Sequence, residues 1–537
     1  MIILLSFALA MLVTTVTLPP LRKHAARLRL VDHPSEQRKI HKETIPHSGG
    51  VAIVMGVMVA AISWLPKDDI GLLPLFGCIA IIILLGLLDD LRDLGYRIKF
   101  AGQALATAAL LMSYGGFPNL PFTPLASEFD VLTLVFSFAF VLAVTNAVNL
   151  SDGLDGLAAG NGLLSLIVLA VIAAQAGDTA YLVIALSMAG GLVGFLRFNS
   201  HPASIFMGDT GSLFIGFTAS ALCILIMQSN RLPFSPMIPI LIFGLSLLDT
   251  MSVMAVRKLR GRPLFTADRS HIHHQLMHFG FRHYEVVTLL YVLQAICIGM
   301  AYTLRYSADF IVLAAYLGFC AMVLGLILLG RVTGWTVRAS SPKKNLERRN
   351  PLFRQLSWYH RNTARVLAPA ISLFILYHCW QPEHTQWDER PWVWAVVAAL
   401  IGLWIVFHKN LQLVARTICF VACPLTAYIA LFSYQESTQQ LILSDLYLVG
   451  VLLALVLAIR VTRRSQFQLG TQDYLILLIV AITPLVLPDN IGGWTATRLV
   501  GYLAILMYGC EYIISKGKRT RWIISGTGIL SIASVAV

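Results

Sequence analysis

Runs of 17 or more apolar residues recur from one end of this 537-residue chain to the other. A helix of about 20 apolar residues crosses the hydrocarbon core of a bilayer. Repeated runs of that length leave little room for a soluble globule, and the expected class is an all-α, polytopic integral membrane protein. Composition agrees: 57% of residues are hydrophobic, 12% are charged, and mean hydropathy is +0.75. The net charge of +13 would suggest nucleic acid for a soluble chain. Here most Lys and Arg lie in loops between apolar runs, so the positive-inside rule explains them and no nucleic-acid partner is expected. The eight Cys are scattered through apolar runs, which supports neither a disulfide framework nor a Cys metal site.

The first run, residues 1–20, lacks a basic leading region and a small-residue cleavage site, so it reads as a retained span ending near Pro19-Pro20. The basic stretch that follows (Arg22, Lys23, Arg27, Arg29, Arg38, Lys39, Lys42) belongs in the cytoplasm, with the N-terminus outside. Further spans fit near 49–65, 71–88, 98–115, 130–149, 159–175, 179–196, 211–228, 236–254, 285–303 and 308–330, giving about eleven. Alternation then puts the loops 89–97, 150–158, 197–210 and 255–284 on the cytoplasmic side, and these carry the concentrated polar residues. The opposite loops are short and bland. Arg331 to Arg365 holds nine basic residues and one acid, Glu347, and reads as a cytoplasmic linker between domains 1–330 and 366–537. Beyond it about seven more apolar runs fit near 366–380, 392–407, 411–432, 442–460, 473–488, 495–514 and 522–537.

The densest polar stretch is Thr145 to Leu157, with Asn146, Asn149, Asp152, Asp155, Gly153 and Gly156. Asn149, Asp152 and Asp155 would share one face if the helix continued through them, and the glycines would keep that surface low. Carboxylates at the end of a membrane helix are costly and usually functional. Asp89-Asp90 ends the third span. Adjacent carboxylates there make sense when a cation such as Mg²⁺ sits between them, although a solvated helix end is the bland alternative. Arg97, Lys99 and Gln103 follow at the same face. Phe206-Met207-Gly208-Asp209-Thr210-Gly211-Ser212 opens the eighth span. It reads either as an anion cradle or as an N-cap by Asp209 or Thr210. His271-Ile272-His273-His274 follows Asp268-Arg269. With His278 a zinc-binding stripe is conceivable, but phosphate or uracil recognition, or orientation of a carboxylate, is more economical. Asp32-His33-Pro34 through Lys42 to Pro46 reads by itself as a basic loop attracted to anionic lipid.

Taken together and in this order, these motifs resemble the polyprenyl-phosphate N-acetylhexosamine-1-phosphate transferases of the MraY/WecA type, glycosyltransferase family 4. The resemblance covers about residues 1–330 and none of 366–537. It implies a ten- to eleven-helix fold and transfer of sugar-1-phosphate from a UDP-amino sugar to undecaprenyl phosphate, with release of UMP. Mg²⁺ (or Mn²⁺) is the implied cofactor. The His-Ile-His-His form is more similar to the branch using UDP-N-acetylglucosamine than to the UDP-MurNAc-pentapeptide branch, which stays as the alternative. The implied setting is the bacterial inner membrane, with the active site facing the cytoplasm and the product feeding cell-wall or lipopolysaccharide synthesis. By the same resemblance, Asp209 and Asp90 are metal ligands. Asp89, Asp90, Asp152, Asp155, His271, His273 and His274 are catalytic. Lys99, Asn149, Asn199, Phe206 and Arg269 bind substrate, with Phe206 stacking on uracil. Direct attack by the acceptor phosphate requires fewer steps than a phospho-Asp intermediate. A transporter or flippase would place its charges near the midplane, and few lie there, Asp249 being the nearest. A homodimer or other glycan-assembly enzymes are conceivable partners.

Overall fold

The computed structural model describes residues 2–32, 45–65, 70–122, 129–229, 234–261, 271–337, 357–379, 411–432, 438–461, 475–476, 478–479, 493–516 and 518–536. The chain divides into two compact units, Met1–Ser341 with Gly470–Leu478, and Pro342–Leu469 with Ile479–Val537.

The first unit is a helical bundle. Its elements are α1 (Ile2–His24), a two-residue ladder of β1 (Val31–Asp32) and β2 (Ile45–Pro46), α2 (Gly49–Trp64), α3 (Leu73–Arg92), α4 (Tyr96–Tyr114), α5 (Val131–Leu150), α6 (Leu157–Ala176), α7 (Thr179–Asn199), α8 (Gly208–Gln228), α9 (Ile238–Ile242), α10 (Gly244–Leu259), α11 (Ile272–His278), α12 (His283–Thr303) and α13 (Asp309–Thr333). Among the described residues a helix lies on each of the eleven apolar runs expected before residue 331, and eight helices of the unit are long and apolar enough to cross a membrane. The protein is an all-α, multi-pass membrane protein.

Two boundaries and one shared helical face differ from the expectation. Helix α1 continues through Pro19 and Pro20 to His24. A proline removes one N–H and crowds the carbonyl four residues back, which a helix in a packed membrane bundle tolerates. The ninth run is split at Phe243 between α9 and α10, and α10 continues to Leu259. Gln294 of α12 donates to the Ile242 carbonyl at 2.7 Å, satisfying backbone that the break frees. Finally, α5 stops at Leu150, so Asn149, Asp152 and Asp155 do not share a helical face. The chain turns from Ser151 to Gly156, where Gly156 (φ 83°) adopts the left-handed conformation that opens α6.

Helix α8 is the hub. It packs against α2, α3, α5, α6 and α7, and nearly all its residues after Asp209 are buried. Glycines allow this crowding. A Cβ on Gly50 would lie 2.2 Å from the Gly211 nitrogen, and one on Gly86 would lie 2.5 Å from the Thr210 Cα. With little hydrophobic drive between helices in lipid, close backbone approach is what holds such contacts. Helix α13, by contrast, exposes Phe310, Leu317, Leu326, Leu328 and Val332, as a lipid-facing element does.

The second unit contains α14 (Ser357–Cys379), α15 (Leu411–Phe432), α16 (Thr438–Val461), α17 (Gly493–Lys516) and α18 (Lys518–Ala536). Leu367, Ile371, Phe374, Cys423, Leu448, Leu506 and Ile513 are among its core residues. Arg416 of α15 forms a two-pronged pair with Glu511 of α17 at 2.6 and 3.0 Å. The expected runs 392–407 and most of 473–488 lie outside the described residues, as do Arg463 and Arg464.

Candidate active site

Up-and-down connectivity gathers the polar motifs at one end of the first unit. Helices α3, α5 and α7 end there; α4, α6, α8 and α12 begin there. That end therefore carries several helix N-termini with their positive partial charge, and nearly all the described motif residues.

Asp209, in the first turn of α8, is the centre. Its Oδ1 accepts from Asn149 Nδ2 at 2.9 Å, and its Oδ2 accepts from Lys99 Nζ at 2.7 Å. Asn149 also donates to Ser212 Oγ at 2.8 Å, tying the end of α5 to α8. Lys99 bridges to Asp89 as well. The other Asp89 oxygen accepts the Leu94 N–H at 2.7 Å, where the chain leaves α3 through Asp93 in a left-handed conformation. Asp90 plays a different part. Its Oδ1 accepts the Asp209 N–H at 2.8 Å, and its Oδ2 accepts the Thr210 N–H at 3.0 Å and the Thr210 hydroxyl at 2.5 Å. So α8 is capped by a carboxylate from α3, in place of the expected Asp209 or Thr210 side chain.

Asp152 and Asp155 sit in the turn after α5. Burial first, and then the negative charges of Asp209, Asp155 and Asp90, push the Asp152 carboxyl up to about 7. Burial acts on Asp155 in the same sense. The His201 side chain at 2.6 Å and the Ala203 N–H at 3.1 Å reverse the effect and hold Asp155 below the usual carboxylate range.

The histidine motif packs against this floor. Asp249 of α10 holds His271 Nδ1 at 2.8 Å and accepts the Ile272 N–H at 2.7 Å, so a buried carboxylate opens α11. His271 precedes the helix in an extended conformation, and His278 is exposed at its far end, so the stripe of His271, His274 and His278 does not form. Instead Asp249, His271 and His273 cluster, each offering a donor atom within 4.8 Å of the others. His273 and His274 rings lie 4.3 Å apart. Burial drives the His273 ring down to about 3, so it is neutral. A Cβ on Gly153 would lie 2.8 Å from His273 Nε2, which joins the histidines to the Asp152–Asp155 turn.

Two residues take positions that their motifs did not announce. Asn199 is 2% exposed and spends its amide on the backbone, accepting the Gly156 N–H at 2.8 Å and donating to the Ile205 carbonyl at 3.0 Å. Phe206 is half-buried; its own backbone bonds Pro46 and Gly49, docking β2 and α2 onto the start of α8. Arg269, Asp268 and residues 33–44 lie outside the described residues. Sequence reasoning missed the part of Asp249, noted only as an ionisable group in a span, and missed His201 and His283. A carboxylate inside an apolar run was the available signal for Asp249. The two histidines carried none.

Among the described residues, Lys99 pairs with Asp89 and Asp209, and Asp90, Asp152 and Asp155 bring further carboxylates to the same end. An excess of carboxylate oxygens around one ammonium is the donor set of a hard divalent cation. Asp209 and Asp89 share Lys99, while Asp90 gives both oxygens to backbone and hydroxyl donors at the start of α8.

The sequence model of glycosyl transferase family 4 matches residues 72–227. A Bacillus subtilis protein described as "Probable undecaprenyl-phosphate N-acetylglucosaminyl 1-phosphate transferase" is 36% identical over 294 residues, covering 54% of this chain and 82% of the relative. The Mycobacterium tuberculosis "Decaprenyl-phosphate N-acetylglucosaminephosphotransferase" is 31% identical, over 53% of this chain and 78% of the relative. A "Phospho-N-acetylmuramoyl-pentapeptide-transferase" from Shouchella clausii is 30% identical, over 54% and 92%.

Proposed function

The chain belongs to glycosyl transferase family 4, and from that premise we propose that it moves N-acetylglucosamine-1-phosphate from UDP-N-acetylglucosamine to undecaprenyl phosphate. UMP leaves, and a lipid-linked sugar remains in the membrane to begin a cell-envelope glycan. The observation that carries the reading is Asp209, held between Asn149 and Lys99 at the start of the most buried helix, with Asp90 gripping its backbone. The UDP-MurNAc-pentapeptide reaction has the Shouchella clausii relative in its favour. The N-acetylglucosamine reading has the relative of higher identity and the His-Ile-His-His motif.

The chemistry sets two anions against each other. An oxygen of the acceptor phosphate attacks the sugar-bearing phosphorus of the donor, and the bond to the UMP oxygen breaks. Asp209 and Asp89 would hold a Mg²⁺ ion, which would supply charge neutralisation between the two anions. Lys99 adds a fixed cation beside the same carboxylates. Asn149 orients Asp209, and Asp90 fixes the first turn of α8 so that Asp209 cannot swing away. Asp152 and Asp155 form the catalytic floor. His273, neutral, donates its ring N–H to the diphosphate, with His274 beside it, and His271 is set by Asp249. Phe206 offers its ring to uracil, while Asn199 positions the Gly156 turn from inside. Since a phosphate monoester is largely dianionic at neutral pH, direct attack needs no strong base.

The fold's polar end faces the cytoplasm of a bacterial inner membrane in this reading, because the first and last helices of the unit end in basic residues, Arg22, Lys23 and Arg331. The second compact unit, Pro342–Leu469 with Ile479–Val537, serves in this reading as a scaffold or docking surface for later glycan enzymes. The test supplies purified protein with undecaprenyl phosphate and either UDP-N-acetylglucosamine or UDP-MurNAc-pentapeptide, and assays UMP. Release with the first donor alone is expected. Release with only the second would overturn the sugar assignment, and none with either would overturn the activity.

A further inference from the structure

Asp155 belongs to a second cluster as well, whose other two members the transfer reaction does not use. Asp155, His201 and His283 come from three places: the turn before α6, the α7–α8 connection and the first residue of α12. Their donor atoms all lie within 4.8 Å of one another. His201 Nδ1 is 2.6 Å from Asp155 Oδ2. The two imidazoles stack, with ring centroids 4.0 Å apart and planes 19° from parallel. His283 Nδ1 is buried and has no hydrogen-bond partner among the described residues. A buried polar atom left unmade costs about 1–3 kcal/mol, so something normally satisfies it.

We propose that Asp155, His201 and His283 bind one borderline transition-metal dication, of which Zn²⁺ is the representative, at a site distinct from the oxygen-donor site at Asp209. Two imidazoles and one carboxylate suit Zn²⁺, whereas Mg²⁺ takes oxygen ligands. Three protein ligands leave a fourth position open, and the His201 side chain, 45% exposed, faces solvent there. Zn²⁺ bonds of about 2.0–2.1 Å place tetrahedral donors roughly 3.3 Å apart, so the His201–Asp155 contact has to widen by about 0.7 Å and the stacked His201 and His283 rings have to turn out of parallel to aim both in-plane lone pairs at the ion. The metal takes the place of the proton between His201 Nδ1 and Asp155, and the neutral imidazole keeps its one proton on Nε2, which faces away from the ion. His283 contributes a ring-nitrogen lone pair and loses none of its described hydrogen bonds at Nδ1. Bound there, the ion ties the connection that delivers Asp209 to the turn that carries Asp152.

The experiment uses full-length, metal-stripped protein in detergent, with Mg²⁺ saturating. Zn²⁺ binding is measured by equilibrium dialysis, and Co²⁺ is added separately to read its visible bands. Wild type should bind one equivalent of Zn²⁺ more than the His201→Gln/His283→Gln variant and be stabilised thermally by Zn²⁺ where the variant is not. Comparing the two removes contributions from the Asp249–His271–His273 cluster and the cysteines. Tetrahedral Co²⁺ absorption present in wild type should be weaker in the variant. Should the double variant fail to fold, exposed His201→Ala is substituted, and a loss of more than about tenfold in Zn²⁺ affinity is expected. Equal stoichiometry and equal Zn²⁺ stabilisation in wild type and variant would overturn the proposal.

Discussion

Asn149 has no charge and need never touch substrate, yet it fixes one oxygen of Asp209 and the Ser212 hydroxyl together. Asn149→Ala should therefore lower kcat, or the affinity for Mg²⁺, by about 10–100-fold while leaving the fold intact; kinetics across a Mg²⁺ titration checks this. Asp152 gives a pH prediction. Its carboxyl stands near 7 when folded and near 4 when unfolded, so between those values the folded chain holds the extra proton. Its ionisation then costs stability progressively as pH rises from about 4 through 7. Asp152→Asn should gain on metal-free wild type in melting temperature as pH goes from 5 to 8, and a constant difference would contradict the assignment. Burial of neutral His273 works the other way, which is why the comparison must be between single variants. The identity of these residues was legible in the sequence because carboxylates and amides are rare in membrane helices. Their pairings were not. Nothing in a motif says that Asp90 caps α8 or that Asn199 points into the protein, since both depend on which helix ends converge.

At the scale of elements, α3 supplies a controlled comparison. A Cβ on Gly86 meets the Thr210 Cα at 2.5 Å, while one on Gly77, nine residues earlier, meets nothing within 4 Å. Gly86→Ala should cost about 1–3 kcal/mol by forcing α3 from α8, and should depress activity through the displaced Asp90–Asp209 contact. Gly77→Ala should be neutral or slightly stabilising, by at most about 1 kcal/mol. Thermal melts and transfer rates of both variants decide it. Apolar periodicity located the helices well, because lipid demands a self-satisfied backbone in every span. It could not see the break at Phe243, where Gln294 from another helix takes the freed carbonyl. It ended the fifth span at 149, beside Leu150, but could not say that the turn at 151–156 parts Asn149, Asp152 and Asp155 from one another, although the glycines that permit it were in view.

For the whole molecule, the polar motifs all lie in the first unit, and so do Asp209 and its partners. A chain ending at Arg365 should then keep transfer within about an order of magnitude of the full chain, a span set by modest losses of stability rather than of site residues. Loss of transfer in a well-folded truncation would assign residues 366–537 a part in catalysis. The family and its chemistry were readable from five ordered motifs. The second unit was readable only as more membrane helices, because it lacks chemistry-bearing clusters that a sequence alone makes recognisable. The central claim is that Asp209 organises a metal-dependent sugar-1-phosphate transfer. Purified protein is given radiolabelled UDP-N-acetylglucosamine, undecaprenyl phosphate and Mg²⁺, and label is followed into the lipid phase for wild type and Asp209→Asn. The account predicts transfer by wild type that chelation abolishes and that Asp209→Asn reduces at least about 100-fold. Undiminished transfer by folded Asp209→Asn, or transfer indifferent to chelation, would contradict it.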